Sequence, residues 1–317
     1  MTGHADPTRR GVLHGAAALA AGGVLSSCTR STDTKPEKTS MTQESTVYPI
    51  SLAQWSLHRT IRSDELDPLD FAQVTRDTYG LGGVEYVNSF FKDRVTDTAY
   101  LSQLRKRAAD HGVESLLIMV DGEGAMGAAT DAELQQTVDN HRRWLDAAKF
   151  LGCHSIRVNA QSEGTPEEQH ARCVRGFQML LPHAEHLDMD VIIENHGGLS
   201  SNGQWLAELI VKVDHPRLGT LPDFGNFILD WNTRESYDRY VGVAELIPYA
   251  KALSAKSHDF DDSGEEINTD YARMMKITRD AGYDGWVGIE YEGETLSEHD
   301  GIMRTRDLLV RNGCRVS

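Results

Sequence analysis

The chain has 317 residues, enough for one large domain or two ordinary ones with a sizeable hydrophobic core. A hydrophobic content of 39% with 25% charged residues excludes a collagen, a bulk-disordered chain and a polytopic membrane protein. The balance of 32 Lys+Arg against 48 Asp+Glu, a formal charge of −16, weighs against nucleic acid as a partner, because such a binder needs a basic face to release counterions.

The first residues read as an address. Thr8-Arg9-Arg10-Gly11-Val12-Leu13 opens a basic region, and residues 11–25 form an Ala/Gly-rich apolar run. That run is shorter than the roughly 20 residues that span a bilayer, so it reads as the apolar region of a signal peptide. The paired arginines resemble a twin-arginine export signal, with Val12 where such signals usually carry Phe. Leu25-Ser26-Ser27-Cys28 resembles a bacterial lipobox, which makes residues 1–27 a cleavable signal and Cys28 the lipidated first residue. The competing reading is a fortuitous apolar N-terminus with an ordinary cysteine. Residues 28–46 are rich in Ser, Thr, Lys and Glu and bury too little to order themselves, so they read as a tether. The expected location is the periplasm or cell envelope, with membrane contact only through the lipid anchor. Cys153, Cys173 and Cys314 have no metal-like spacing and read as buried thiols, with one disulfide as the alternative.

From residue 48 one rhythm repeats. Short apolar or β-rich runs at 50–55, 83–87, 115–120, 155–159, 190–194, 218–222, 250–256 and 286–290 alternate with stretches of helical periodicity. Such stretches include 98–110, 132–151, 167–187, 204–213 and 271–281. Thr130 with Glu133 and Thr165-Pro166-Glu167-Glu168 have the form of capping boxes, and Ser297 with Asp300 that of a cap on the last helix. Eight strand–helix units predict a parallel sheet and a single (β/α)8 TIM barrel over residues 47–317, with its site at the C-terminal ends of the strands. A doubly wound open sheet is the alternative, but Gly80-Leu81-Gly82-Gly83 precedes a strand, so no GxGxxG fingerprint supports it.

Four consecutive strands end in potential ligands: Glu194, Asp223, His258 and Glu290. Three carboxylates brought together repel unless a cation holds them, and oxygen ligands with one imidazole suit Mn²⁺, Mg²⁺ or Co²⁺. Alone, each residue is equally a cap, an ion-pair partner or a structural histidine. Period-two alternation puts His196 beside Glu194 and Lys256 beside His258, where both reach substrate as hydrogen-bonding or acid groups. Lys256 as a rim ion-pair residue is the alternative. Gln54, His58, Glu85, Arg157, Asn159 and Asn226 are candidate substrate contacts, and Trp55 and Trp231 candidate stacking platforms; each is equally barrel packing. Asp121-Gly122-Glu123-Gly124 reads as a polar loop at the site or a turn.

The strings Ile193-Glu194-Asn195-His196-Gly197-Gly198, Pro222-Asp223-Phe224-Gly225-Asn226, Ala255-Lys256-Ser257-His258-Asp259-Phe260 and Gly288-Ile289-Glu290-Tyr291-Glu292-Gly293 resemble the xylose-isomerase-like TIM-barrel superfamily over about residues 48–313. Its members are known as sugar phosphate isomerases/epimerases, with ketose 3-epimerases and an endonuclease branch. The resemblance implies one divalent cation, most readily Mn²⁺, on Glu194, Asp223, His258 and Glu290. It also implies that Glu194 and Glu290 remove and return a proton from opposite sides of a carbon beside a carbonyl. Asn226 stands where ketose epimerases commonly carry His, and it removes a ligand position that the endonuclease branch needs.

The expected activity is therefore a metal-dependent sugar isomerase or epimerase working through an enediolate. Export, and the absence of a Gly-rich cradle or Lys/Arg cluster after the late strands, point to an unphosphorylated keto sugar. A 3-keto-glycoside lyase is the first alternative, because the same enolate expels the C1 substituent. A non-catalytic carbohydrate-binding lipoprotein is the second. A homo-oligomer is compatible with the sequence.

Overall fold

The structure, a computed structural model, describes residues 47–316; the expected signal segment 1–27, the tether 28–46 and the lipidation site Cys28 lie outside them. Eight parallel strands follow in chain order: β1 (Tyr48–Ala53), β2 (Gly83–Val87), β3 (Glu114–Met119), β4 (Ser155–Asn159), β5 (Asp190–Glu194), β6 (Leu218–Leu221), β7 (Leu253–Ser257) and β8 (Val287–Tyr291). They pair in the order β6-β5-β4-β3-β2-β1-β8-β7, and a short strand, Cys314–Arg315, adds beside β1. Between the two ends of that path, parallel bridges link Thr220 to Ala250 and Asp223 to Ser254. Backbone bonds from Lys251 to Thr220, from Ser254 to Pro222 and from Phe224 to Ser254 complete the seam. The predicted TIM barrel is thus the fold.

Helices between the strands cover the ring. Their apolar faces and the outward strand residues form the main core, which includes Trp144, Phe177, Leu206, Met274 and Leu308. A smaller cluster, with Ala53, Val87, Leu117, Met119, Ile192 and Leu221, fills the inside of the ring. Near-continuous apolar runs such as Val191-Ile192-Ile193 suit strands covered on both faces.

The predicted caps form. Thr130 caps Asp131–Leu151 and Thr165 caps Pro166–His186, both as reciprocal capping boxes, and Ser297 Oγ accepts from the Asp300 amide. Cys153, Cys173 and Cys314 are buried free thiols. Among the described residues no helix is long and apolar enough to cross a membrane.

In two strands the bounds differ from those expected by two residues or more. β1 starts and stops two residues earlier, because Gln54–Leu57 turns into a 3₁₀ helix. β7 starts at Leu253 because Ile247–Tyr249, with Pro248 in its first turn, forms another.

One close approach is testable. On Pro166–His186, Gly176 faces the Met126 carbonyl, and a Cβ added there would stand 1.9 Å from that oxygen. Gly→Ala in an exposed helix interior gains about 1 kcal/mol. Here Gly176→Ala is expected to lose about 1–3 kcal/mol through overpacking. Chemical denaturation of the pair decides it: a variant as stable as the parent contradicts the close contact.

Candidate active site

Strand register determines which side chains meet at the C-terminal end of the ring. Asn159 pairs with Glu194 across β4 and β5, while Lys256 pairs with Glu290 across β7 and β8. Asp223 is bridged to Ser254, which closes the circle. Asn195 fastens the β5 and β6 ends together: its amide nitrogen donates to the Asp223 and Asn226 carbonyls, and its oxygen accepts from the Asp223 amide. Gly197, at φ 87°, then turns the chain in a conformation that L side chains rarely adopt, and Ser201 Oγ caps its amide.

Glu194, Asp223 and Glu290 are all buried, and they present oxygens within 4.8 Å of one another. That spacing is one a single metal ion bridges. The fourth expected ligand, His258, stands apart from this group. Its side chain is 40% exposed, and its Nε2 faces Glu292 at 3.8 Å. One turn of the pleat deeper, the Lys256 ammonium takes the central position, 3.1 Å from Glu290, 3.3 Å from Glu292 and 3.4 Å from Asp223. The alternative of Lys256 as a rim residue is corrected: its side chain is 1% exposed.

Donors from the protein surround the three carboxylates. Glu194 Oε1 accepts from Asn226 Nδ2 at 2.9 Å, and Oε2 faces Arg157 Nε at 2.8 Å, out of hydrogen-bonding alignment. Asp223 Oδ1 accepts from the amides of Gly225 and Asn226, and Oδ2 from Ser254 Oγ. Glu290 Oε2 stands 2.7 Å from the same hydroxyl, and Oε1 accepts from Lys256. The carboxylates are grouped as a metal ion requires, and Glu194 Oε2 is the one of their oxygens left without a hydrogen-bond partner.

Arg157 links this group to the β3 end. Its guanidinium grips Asp121 through both terminal nitrogens, at 2.6 and 3.2 Å, and Asn159 Nδ2 donates to the same carboxylate. Burial works against the Asp121 anion, but Arg157 outweighs it and holds the carboxyl down at about 2. Burial, reinforced by Glu290, lifts Glu194 to about 7 against the pull of Arg157. Burial likewise lifts Asp223 to about 7, against Lys256. For Lys256 itself burial opposes the charge, yet Asp223, Glu290 and Glu292 hold its pKa well above the usual value. Burial and then Arg157 and Lys256 push His196 down, so it is a neutral imidazole near pH 7.

Two cavities open over this group. One of about 360 Å³ is bordered by Trp55, Val87, Met119, Asp121, Arg157 and Glu290. The other, of about 450 Å³, is bordered by Asn226, Trp231, Arg234, Arg239, Lys256 and His258. His196 and Glu292 border both. Each has the volume of a small-ligand site, roughly 300–1,000 Å³. Trp231 sits 62% exposed on a hairpin, Ile228–Asp230 with Glu235–Ser236, with Arg234 over its ring. Contrary to the expectation of no basic cluster here, Arg234 and Arg239 both line this wall. Arg239, however, is bonded to Thr269 and the Phe224 carbonyl, and Asp259 and Glu292 face the same space. A larger cavity, about 530 Å³ under residues 122–129, touches none of the carboxylates.

The other expected contacts divide. Arg157, Asn159 and Asn226 belong to the carboxylate network. Gln54 accepts from the Val87 amide and joins β1 to β2. His58 stacks behind Trp55 and has Nδ1 on the Trp55 carbonyl. Glu85 lies lower in the ring, accepts from Ser51 and occupies the gap left by Gly288. Sequence reasoning passed over Ser254 and Glu292 as site residues, and gave Asp121 only as part of a polar loop at the site or a turn. The signal for the first two was the period-two alternation that links them to Lys256 and Glu290.

Glu85 makes a pH prediction. Burial raises its carboxyl to about 8, and its Oε2 has no partner. The folded value lies above the unfolded one of about 4.3, so its stabilising contribution is complete below about pH 4 and lost as pH rises through about 8. Glu85→Gln is expected to flatten the decline of Tm across that window. Parallel Tm–pH curves for variant and parent contradict this.

The family known as xylose isomerase-like TIM barrels matches residues 75–312. The chain belongs to that family. Xylose isomerase-like solved structures resemble it over the whole barrel. The 3-keto-D-glucoside 4-epimerase YcjR from E. coli is 12% identical, with a TM-score of 0.64 over 83% of this chain and 99% of that one. A D-psicose 3-epimerase from Clostridium cellulolyticum H10, solved with D-tagatose, is 12% identical, with a TM-score of 0.63 over 83% and 96%. The IolI protein, solved with a zinc atom, is 11% identical, with a TM-score of 0.64 over 83% and 97%. At these identities the likeness shows the fold alone. No curated protein matches the chain.

Proposed function

We propose that this xylose isomerase-like barrel is an enzyme that moves a proton at the carbon beside the carbonyl of an unphosphorylated keto sugar, as an isomerase or epimerase. One observation carries the reading: Glu290 borders a cavity of about 360 Å³ with Arg157, while the Lys256 ammonium lies against the same carboxylate. A carbon acid of this kind needs a base and fixed positive charge where the enediolate oxygen develops.

Glu290 takes the proton. Arg157 and Lys256 stabilise the developing negative charge, and His196, at the junction of the cavities, hydrogen-bonds a sugar hydroxyl. Glu194, whose carboxyl burial lifts to about 7, is the second proton-carrying group of the pair. The Mn²⁺ expected from the sequence, with Mg²⁺ or Co²⁺ as substitutes, would be held by Glu194, Asp223 and Glu290 and would supply the same charge. No step above depends on it.

The two adjoining cavities favour a second reading. A keto sugar over Glu290 leaves room on the Trp231 side for a substituent at C1, as in a 3-keto-glycoside. Proton removal at C2 then expels the C1 oxygen, and the same residues act as a lyase. Export to the cell envelope, where glycosides are met, supports either reading.

Incubation with a ketohexose and separately with a 3-keto-glucoside, followed by chromatography, tests both. An epimerised sugar supports the first reading and released aglycone the second. Tight binding of both sugars with neither product rejects both and leaves a carbohydrate-binding lipoprotein.

A further inference from the structure

We infer that the resident cations of the Glu194–Asp223–Glu290 group are the Lys256 ammonium, against Asp223 and Glu290, and the Arg157 guanidinium, against Glu194, so that this barrel holds its carboxylates together without a divalent ion. This goes beyond the proposed reaction and does not depend on which sugar is turned over. An ammonium has three N–H donors and no acceptor. Lys256 faces three carboxylates, Asp223, Glu290 and Glu292, each at 3.1–3.4 Å. It hydrogen-bonds Glu290 and holds Asp223 and Glu292 by charge.

The surroundings are built for that side chain. Gly225 clears its path, since a Cβ at that position would stand 2.9 Å from Lys256 Cγ. Tyr271 Oη donates to the carbonyls of Ala255 and Lys256 and pins the strand beneath it. Ser254, inward on the same strand, stands within 2.9 Å of Asp223 and 2.7 Å of Glu290. Its one hydroxyl hydrogen is shared between the two carboxylates and ties them together from below. On β7 the residue opposite Glu290 is Lys256 itself, and the imidazole of His258 lies above, beside Glu292.

The test is metal content and thermal stability, neither of which needs turnover. Wild-type protein, purified without chelator, is expected to carry no stoichiometric divalent ion by plasma mass spectrometry. Its Tm should be the same in EDTA and in millimolar MnCl₂. Lys256→Ala leaves Asp223 and Glu290 without their cation. It is expected to melt several degrees lower in EDTA and to regain that loss in MnCl₂, more fully when combined with Ser254→His. Wild-type protein holding one divalent ion per chain, with a Tm that falls on chelation, overturns the inference. So does a Lys256→Ala protein that melts with the parent in EDTA. Should the variants fail to fold, the wild-type measurements decide alone. Loss of the sugar reaction with a metal-free wild-type protein would count against the proposed function and leave this inference standing.

Discussion

Glu290→Gln is expected to lower kcat/KM for proton exchange at the keto sugar by about 10²–10⁴, the range that a positioned acid–base group supplies. The substitution keeps the size of the side chain. Its amide oxygen can face Lys256, where Oε1 now accepts at 3.1 Å, and its amide nitrogen can face the Ser254 hydroxyl at 2.7 Å. Lys256 retains Asp223 and Glu292 as partners, so the fold loses little. What disappears is the proton acceptor that borders the 360 Å³ cavity. Steady-state kinetics with a circular-dichroism melt checks the split: lost rate with preserved Tm is the expected pair. A variant with parental kcat/KM removes Glu290 from the chemistry.

Arg157→Met is expected to cost stability as well as activity. The guanidinium joins Asp121, just after β3, to Glu194 on β5, and its side chain is 4% exposed. Taking one partner from a buried ion pair costs about 3–5 kcal/mol, here chiefly through Glu194, since Asp121 is 38% exposed and keeps Asn159. For a domain of this size that corresponds to a fall in Tm of roughly 6–15 °C. Asp121→Asn in the same background removes one of the stranded charges and is expected to recover part of the loss, as coupled neighbours do in a double-mutant cycle. Additive losses from the two substitutions would mean that the ion pair contributes nothing as a pair.

The fold was legible where apolar runs were short and cleanly bounded. The runs 83–87, 155–159 and 190–194 coincide with β2, β4 and β5, and the capping boxes at Thr130 and Thr165 mark two helix starts. The run 250–256 misled because apolar content does not distinguish a strand from the 3₁₀ turn Ile247–Tyr249 that leads into it. Three members of the carboxylate group were legible because each ends a successive strand.

The fourth position was not, and the reason is geometric. Lys256 and His258 share one face of β7, so alternation alone ranks them equally. Height along the barrel axis separates them, and it depends on the register of β7 against β8, which pairs Lys256 with Glu290. The long aliphatic stem of Lys256 then brings its charge inward to the carboxylates, whereas His258 follows the last strand residue and meets Glu292 at the mouth. Glu85 was misjudged for the same reason: it lies on the correct face but one layer too deep, against Ser51 and Gly288.

The central claim, proton transfer beside a sugar carbonyl, is tested most directly by solvent exchange. Wild-type protein and Glu290→Gln are incubated in D₂O with a ketohexose and with a 3-keto-glucoside, and the sugars are examined by NMR and mass spectrometry. The account predicts deuterium at the carbon adjacent to the carbonyl with the wild-type protein, in recovered sugar or in product, and almost none with the variant. Sugars that remain fully protonated and intact after prolonged incubation with wild-type protein would contradict it.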